Sequence, residues 1–224
     1  HLKGAILGIS GGKDSGVVCA LLVKALGSEN VIGVTMPCHS NIDDSLDAKL
    51  VQEAFNINMI NVDLTSTYDT FIKEIDKLGY STNLENSNIN LKPRLRMSTL
   101  YYLAALYSSL YNGTYLVAGT SNKDELFVGY YTKGGDNSYD IGLLNNYSVE
   151  EVIKIGEYLG VPDKVIHKTP SDGLSNKTDE EKLGVSYKEI EDVINGIDTP
   201  NKDYILKLNR NNLHKLSKTI YERK

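Results

Sequence analysis

The sequence predicts an α/β protein in which a parallel sheet is covered by helices on both faces, giving three layers. Three short apolar runs have the length of strands, and they occupy residues 5–7, 31–36 and 57–64. An apolar stretch of helical character that ends near Leu26 separates the first two runs. Residues 44–55, with apolar and charged positions at helical spacing, separate the last two. This βαβαβ order requires right-handed crossovers between parallel strands, which is a Rossmann-like arrangement.

The first strand runs directly into the segment Gly-Ile-Ser-Gly-Gly-Lys-Asp-Ser, residues 8–15, and then into the first helix. A glycine-rich turn between a strand and a helix directs backbone N–H groups at the helix N-terminus, where a phosphate binds favourably. The segment is not a Walker A loop, because Leu7 and Asp14 stand where that motif needs Gly and Ser or Thr. A carboxylate beside phosphates indicates Mg²⁺. The simpler alternative is that Ser10 or Asp14 only caps the helix.

The middle of the chain predicts two helices, a loop and a further strand. Residues 67–78 have helical character, and residues 79–92 are polar and rich in Asn and Ser. We expect 79–92 to be a mobile loop, either a plain connection or a functional lid. Leu100–Tyr111 is apolar nearly all round, so this helix belongs to the core or forms the seam of a homodimer. Thr114–Ala118 predicts the fourth strand.

Polar residues around these elements are candidates for ligand contacts. Arg94 and Arg96 project in different directions, so at least one of them can reach an anionic ligand. Glu125 follows the fourth strand at the same sheet edge as the octet. It is either a second metal-binding carboxylate or an ordinary acid in a first helical turn. Residues 129–140 are rich in Gly, Tyr and Asp, which suits either nucleotide binding or an irregular surface loop.

The last third of the chain predicts shorter elements. Ser148 and Glu151 form a capping box that predicts the start of a helix. Residues 172–184 contain a turn and a charged stretch, and we expect a second mobile loop there. A short helix over 187–195 is followed by a tail rich in Asn and Lys. The pair His214-Lys215 lies in that tail and, taken alone, indicates only solvated chain.

Composition narrows the class of protein. The formal net charge is −5 and no large basic block is present, which argues against a nucleic-acid partner. Apolar runs are far shorter than a membrane span and no signal peptide precedes the first strand, so we expect a cytoplasmic protein without membrane contact. We expect Cys19 and Cys38 to be reduced and structural. Because the chain enters its first strand almost at once, we leave open whether the native protein has a further segment before His1.

Several of these segments together resemble the ammonia-dependent NAD synthetases, which have an adenine nucleotide alpha-hydrolase-like fold. The octet is shared by several kinds of ATP pyrophosphatase, whereas Arg-x-Arg-Met and Gly-Tyr-x-Thr-Lys-x-Gly-Asp are far more specific. The resemblance covers nearly the whole chain, so we expect one domain over residues 1–224. The similar segments are residues 8–15, Met36-Pro37, Asp47-Ala48, 90–97, Gly119-Thr120 with Glu125, 129–136, Lys168 to Ser171, Asp179-Glu180, 183–187 and His214-Lys215.

The resemblance implies amidation of deamido-NAD with ammonia, through an adenylated carboxylate, to give NAD, AMP and pyrophosphate. ATP is then the co-substrate, Mg²⁺ the metal and a homodimer the assembly. It implies ATP contacts for Gly8, Ile9, Ser10, Gly11, Gly12, Lys13, Asp14, Ser15, Met36, Thr120 and Ser171. It implies Asp14 and Glu125 as metal ligands, and Asp14 and Lys133 as catalytic residues. It implies deamido-NAD contacts for Arg94, Lys133, Asp140, His214 and Lys215.

One departure from the resemblance concerns a positive charge. Relatives usually carry a Lys for the ATP phosphates where Val149 stands here, and Lys13 or Lys154 are candidates to replace it. Two alternatives to the implied activity follow from the sequence. The octet also fits another ATP-pyrophosphatase amide synthetase, such as one similar to GMP synthetase. Val149 also fits a paralogue that binds nucleotide with weakened catalysis.

Overall fold

A computed structural model describes residues 2–40, 42–80, 85–168 and 178–216, and in these ranges the predicted parallel sheet is confirmed. The strands that are described lie in the order β3-β2-β1-β4-β5, and every pairing is parallel. The N-terminal strand is therefore central. The strands are β1 (Leu2–Gly8), β2 (Val31–Thr35), β3 (Asn58–Asn61), β4 (Thr114–Gly119) and β5 (Ile141–Gly142).

Helices cover both faces of this sheet, so the three-layer prediction is confirmed too. The helices are α1 (Lys13–Leu26), α2 (Ile42–Phe55), α3 (Thr65–Asp76), α4 (Glu85–Leu110), α5 (Lys123–Val128), α6 (Val149–Leu159), α7 (Asp163–Ile166), α8 (Asp179–Leu183), α9 (Tyr187–Ile194) and α10 (Lys202–Leu216). Helices α1, α2, α6 and α7 share a core with one face, and α3 and α4 pack on the other. None of the described helices combines the length and apolarity needed to cross a bilayer.

The alternation of side chains along β1 explains why its sequence is apolar without interruption. Ala5 and Leu7 belong to the core under α1, whereas Ile6 between them belongs to the core under α4. Ile6 and Leu7 are fully buried. Each such side chain contributes roughly 1.5–3 kcal/mol by leaving water. A strand that buries both faces cannot alternate with polar residues, which is why this continuous apolar run predicted a strand correctly.

A third apolar cluster lies beside the sheet and joins α5, α8, α9 and α10. Its members are Val128, Leu183, Val185, Tyr187, Ile190, Val193 and Ile205. The segment that the sequence indicated as a solvated tail is helix α10, held to this cluster by the fully buried Ile205. The Asn and Lys residues of this segment suggested solvated chain, but Asn209 and Asn212 donate to the carbonyls of Phe127 and Val128 and help to dock the helix.

The two loop predictions are wrong in part. Residues 85–92 belong to α4, whose interior contains Pro93, and residues 81–84 lie outside the described part of the chain. A tertiary contact supports the helix there, since Asn90 Oδ1 accepts the Thr132 hydroxyl at 2.7 Å. In the second stretch, Thr178 begins α8 with a capping box, and residues 172–177 lie outside the described ranges. Mobility of either stretch stays a prediction.

Candidate functional site

A cavity of about 360 Å³ opens at the carboxyl ends of β1, β2 and β4. From β1 the chain passes to β2 on one side, and it later returns to place β4 on the other. A parallel sheet leaves a crevice at this reversal of strand order, and ligands of such sheets bind there. The residues lining the cavity include most of the octet together with Met36, Thr120 and Glu125.

The octet forms a tight turn that leads directly into α1. Gly11 has a φ of 80°, in the left-handed region that only glycine enters without strain. Gly12 is the N-cap, and no described side chain caps this helix end. Ser10 Oγ instead accepts the Gly12 N–H at 3.2 Å and lies 3.2 Å from Ser15 Oγ. The capping alternative is therefore wrong, and the first-turn N–H groups are available to an anion.

Asn122 lies between the two carboxylates that the sequence singled out. Its Nδ2 donates to Asp14 Oδ1 at 3.2 Å, and its backbone N–H donates to Glu125 Oε2 at 3.3 Å. The same residue caps α5 in a capping box with Glu125. Glu125 is thus a first-turn acid and also a neighbour of Asp14. Sequence reasoning missed Asn122, although Asn-x-x-Glu after a strand is the pattern of such a cap.

Lys13 extends into this acidic corner. Its side chain is 5% exposed, and its Nζ lies 2.9 Å from Asp14 Oδ2 and 5.8 Å from the centroid of the Tyr187 ring. Burial lowers the pKa of Lys13, but the charges of Asp14, Glu125 and Asp179 outweigh burial and the net shift is upward. Lys13 therefore stays an ammonium ion inside the site.

Asp179 is a third carboxylate at the cavity, to which sequence reasoning assigned no role. Its Oδ1 accepts the Tyr130 hydroxyl at 3.1 Å, and its Oδ2 lies 3.5 Å from the Tyr187 hydroxyl. Burial, followed by the charge of Asp14, raises the pKa of Glu125 well above its usual value. Three carboxyl groups in a desolvated corner favour a bound cation, because a cation stabilises their ionised forms.

The expected metal ligands can be compared with this geometry. Asp14 and Glu125 offer oxygen donors, which suit a hard cation such as Mg²⁺. Among the described residues, no group of three or more His, Cys, Asp or Glu side chains is arranged to hold a metal. Mg²⁺ usually binds through one or two carboxylates, substrate phosphates and water, so two carboxylates beside a phosphate-binding turn fit it.

The deamido-NAD candidates gather at the rim rather than in the cavity. Arg94 Nε and Nη2 donate to the Lys133 carbonyl at 3.3 Å, and Lys133 Nζ donates to the His214 carbonyl at 2.6 Å. Lys215 Nζ donates to the carbonyls of Gly129 and Tyr131 at 2.7 and 3.0 Å. These bonds attach the end of α10 to residues 129–140. The structure thus brings four of the five candidates together.

Asp140 stands apart from those four. Its carboxylate accepts the Val117 N–H at 2.9 Å and the Tyr101 hydroxyl at 3.2 Å, so it joins β4 to α4. It does not line the described cavity. Of the two arginines, Arg96 lines the cavity, and its Nε donates to the Met36 carbonyl at 3.2 Å.

Lys13 and Lys154, the two candidates for the positive charge that the resemblance implies near position 149, lie in different surroundings. Val149 begins α6 and donates its N–H to Asp124. Lys154 is 66% exposed and pairs with Glu150 away from the cavity, whereas Lys13 lines it. Lys168 also lines it and donates to Asp47 Oδ2 at 2.7 Å.

Asp47 itself is 2% exposed and also pairs with Lys164. Sequence reasoning noted the Asp47 segment but assigned it no partner, because α2 and α7 meet only in the fold. Ser171, the remaining ATP candidate, lies outside the described residues.

Comparisons with known proteins agree with one another. The sequence profile of the NAD synthase family matches residues 1–223. The NH3-dependent NAD+ synthetase of Finegoldia magna is 40% identical over 217 residues, 96% of this chain and 86% of that protein. The corresponding protein of Carboxydothermus hydrogenoformans is 41% identical over 192 residues, 85% of this chain and 76% of that one.

Solved structures show the same likeness. The NMN synthetase of Francisella tularensis superposes with a TM-score of 0.88 at 31% identity. The NH3-dependent NAD synthetase of Campylobacter jejuni gives 0.76 at 28% identity. Each comparison covers 100% of this chain and 90% of the other. With a profile match over almost its whole length, this chain belongs to the NAD synthase family.

Proposed function

We propose that this chain catalyses the ATP-dependent amidation of deamido-NAD with ammonia, giving NAD, AMP and pyrophosphate. One observation carries the proposal. In a chain of the NAD synthase family, a phosphate-binding turn and the pair Asp14 and Glu125 face one cavity at the reversal of strand order. The family match favours this activity over that of a GMP synthetase-like enzyme.

ATP binds in this cavity with its departing pyrophosphate on the first turn of α1. The lining supports this assignment, because Gly8, the N-terminal turn of α1, Met36 and Thr120 all contribute to one wall. Asp14 and Glu125 hold Mg²⁺ beside the phosphates. An ion held there by Asp14 and Glu125 would neutralise charge that develops on the phosphoryl oxygens.

The reaction has two balanced steps. The nicotinate carboxylate attacks the α-phosphorus, an oxygen–phosphorus bond forms, and the bond to the β-phosphate breaks with release of pyrophosphate. Ammonia then attacks the carboxyl carbon, AMP leaves with its phosphate oxygen, and a proton is lost to give the amide. No covalent intermediate with the protein is needed, so the chain contributes by orienting substrates and by stabilising charge.

Four residues of the rim contact deamido-NAD: Arg94, Lys133, His214 and Lys215. Lys133 is also a catalytic residue in this proposal, as is Asp14 in the cavity. Their mutual hydrogen bonds support a shared binding surface. Asp140 is the weakest member of this proposal, because its carboxylate is engaged with β4 and α4.

A homodimer is part of the proposal. Helix α4 buries one side on the sheet, and its other side exposes Tyr102, Leu106 and Leu110. These residues recur at helical spacing and form an apolar stripe that a second copy can cover. Light scattering tests this: we expect a dimer that Leu106→Glu converts to monomer, and a monomeric unaltered protein would contradict it.

A cytoplasmic location stays a prediction.

The decisive experiment is a product assay with ATP, Mg²⁺ and deamido-NAD. We expect NAD, AMP and pyrophosphate with ammonium as nitrogen donor, and little NAD with glutamine. Formation of ADP and phosphate, or no NAD, would contradict the proposal. ATP binding without release of pyrophosphate would instead support the weakened paralogue.

A second candidate substrate follows from the likeness to the NMN synthetase. An enzyme that forms NMN by the same chemistry amidates nicotinic acid mononucleotide, which lacks the adenylate half of deamido-NAD. Comparing kcat/KM for the two carboxylates decides between them. A preference for the mononucleotide would replace deamido-NAD as the proposed substrate and leave the adenylation chemistry unchanged.

A further inference from the structure

Lys13 is a buried cation for which the proposed reaction defines no separate task. It lies on α1 at the phosphate-binding turn, yet its Nζ contacts the carboxylate of Asp14. A buried ammonium persists only when it is paired, since an unpaired buried charge is strongly unfavourable. Asp14, Glu125 and Asp179 supply that pairing.

Both oxygens of Asp14 are engaged in this arrangement. Oδ2 accepts Lys13 Nζ at 2.9 Å, and Oδ1 accepts Asn122 Nδ2 at 3.2 Å. Asn122 is fully buried and is fixed as the N-cap of α5, so that contact is rigid. A divalent cation that coordinates Oδ2 would lie against the Lys13 ammonium, and the repulsion between the two positive charges favours movement of the ammonium.

The side chain of Lys13 is suited to such a movement. Lys13 lines the cavity at the first turn of α1, and its four-carbon stem carries a compact, mobile charge. Moving away from Asp14 brings the ammonium toward the part of the cavity where phosphates bind. The Lys13 ammonium then neutralises part of the phosphate charge, while the metal takes its place at the Asp14 carboxylate.

We propose that Lys13 is an internal counter-ion that occupies the cation position at Asp14 and that binding of Mg²⁺ displaces it. This proposal rests on the proposed function only in taking Asp14 as a ligand of Mg²⁺. Lys13 stabilises the acidic corner in the absence of metal, and the cost of breaking its contact with Asp14 lowers the affinity for Mg²⁺.

Calorimetric titration with Mg²⁺ alone, without nucleotide, tests the displacement. The variants are Lys13→Met, which keeps the length of the side chain, and Lys154→Met as a control that removes one exposed charge. A charged hydrogen bond is worth about 1.5–3 kcal/mol, so Lys13→Met should bind Mg²⁺ at least tenfold more tightly. Lys154→Met should match the unaltered protein. Equal or weaker binding by Lys13→Met, or no binding by either protein, would overturn the proposal.

A second measurement keeps the test valid if Lys13→Met does not fold. Lysine ammonium groups are followed by ¹H–¹⁵N NMR in the unaltered protein, and the Lys13 signal is assigned by its loss in Lys13→Arg. We expect saturating Mg²⁺ to shift this signal and to leave that of Lys154 unchanged. An unchanged Lys13 signal would overturn the proposal. Neither measurement uses catalysis, so NAD formation can succeed while the displacement fails, and the reverse.

Discussion

The phosphate end of the cavity and its rim are built in different ways. The phosphate end consists of two strand-to-helix turns, β1 to α1 and β4 to α5, fixed by the central pairing of the sheet. The rim consists of residues 129–140 and the end of α10, joined by bonds such as Lys133 Nζ to the His214 carbonyl, 81 residues apart. The phosphate end is mostly buried or half-buried, whereas much of the rim is exposed and depends on docking of α10.

This difference predicts that changes at the phosphate end affect chemistry and that changes at the rim affect substrate affinity. The largest effect is expected for Asp14→Asn, which keeps the shape and removes the charge. We expect pyrophosphate release to fall about 100- to 1,000-fold, the size typical for loss of one charge-stabilising group.

Circular dichroism should show an unchanged fold for Asp14→Asn, because Asp14 lies in the first turn of α1 and outside the apolar core. A rate within a factor of two of the unaltered enzyme would refute its place in the site. Glu125 is better replaced by Gln than by Ala, since Ala would also break the capping box of α5.

The next largest effect is expected on the free energy of unfolding, at Asp124 in the first turn of α5. Asp124 is 1% exposed, and burial raises its pKa to about 6. The folded state therefore binds this proton more tightly than the unfolded state, so its contribution to stability is lost as pH rises through about 6. Asp124→Asn should increase the free energy of unfolding by about 1–2 kcal/mol above that pH.

Urea denaturation on both sides of this pH checks the prediction. Below the usual titration range of aspartate the gain should vanish, because both proteins are then neutral at this position. Asn keeps an acceptor for the Val149 N–H, so the start of α6 should be unaffected. A gain that does not depend on pH would mean that burial of charge is not its cause.

Gly11→Ala should lower both the stability of the protein and its affinity for pyrophosphate. The φ of 80° costs a non-glycine residue about 1–2 kcal/mol. We expect a lower melting temperature and weaker binding of pyrophosphate, measured by calorimetry. Gly134→Ala, which is also at positive φ but at the rim, is the matched control. It should lose similar stability and keep its affinity for pyrophosphate.

The smallest effect is expected at the rim, with Lys215→Met. This change removes the bonds to Gly129 and Tyr131 and loosens the end of α10. We expect KM for deamido-NAD to rise roughly tenfold, as for loss of about 1.4 kcal/mol, with kcat nearly unchanged. Lys207→Met on the exposed side of the same helix is the control. A fall in kcat alone would contradict the division between the two regions.

The same division explains what the sequence could reveal. The strands β1, β2 and β4 are visible as local apolar runs, and the octet and Glu125 are polar segments that follow such runs. Periodicity and turn chemistry therefore suffice to place these segments at one edge of the sheet. Sequence reasoning gave no role to Asp179 and did not foresee the contact between Asn122 and Asp14, because both depend on residues that meet only in the fold. Helix α10 was missed because its docking face is narrow, and residues 85–92 because low helix propensity was overridden by packing near Thr132.

Val149 illustrates a further limit of sequence reasoning. The missing positive charge was visible from the resemblance, but the choice between Lys13 and Lys154 depends on where each side chain points. Lys154 pairs with Glu150 one turn away on the same helix face, which sequence spacing alone allows but does not require. Only the fold shows that Lys13 is buried in the cavity.

The central position of β1 has a consequence for the order in which the molecule assembles. Strand β1 pairs on one side with β2 and on the other with β4, which ends at Gly119. The contact of Asp14 with Asn122 likewise spans 108 residues. Loops of this length close slowly, because their entropy is lost before the contacts form. Synthesis must therefore reach Asn122 before the turn at residues 8–15 has its complete surroundings.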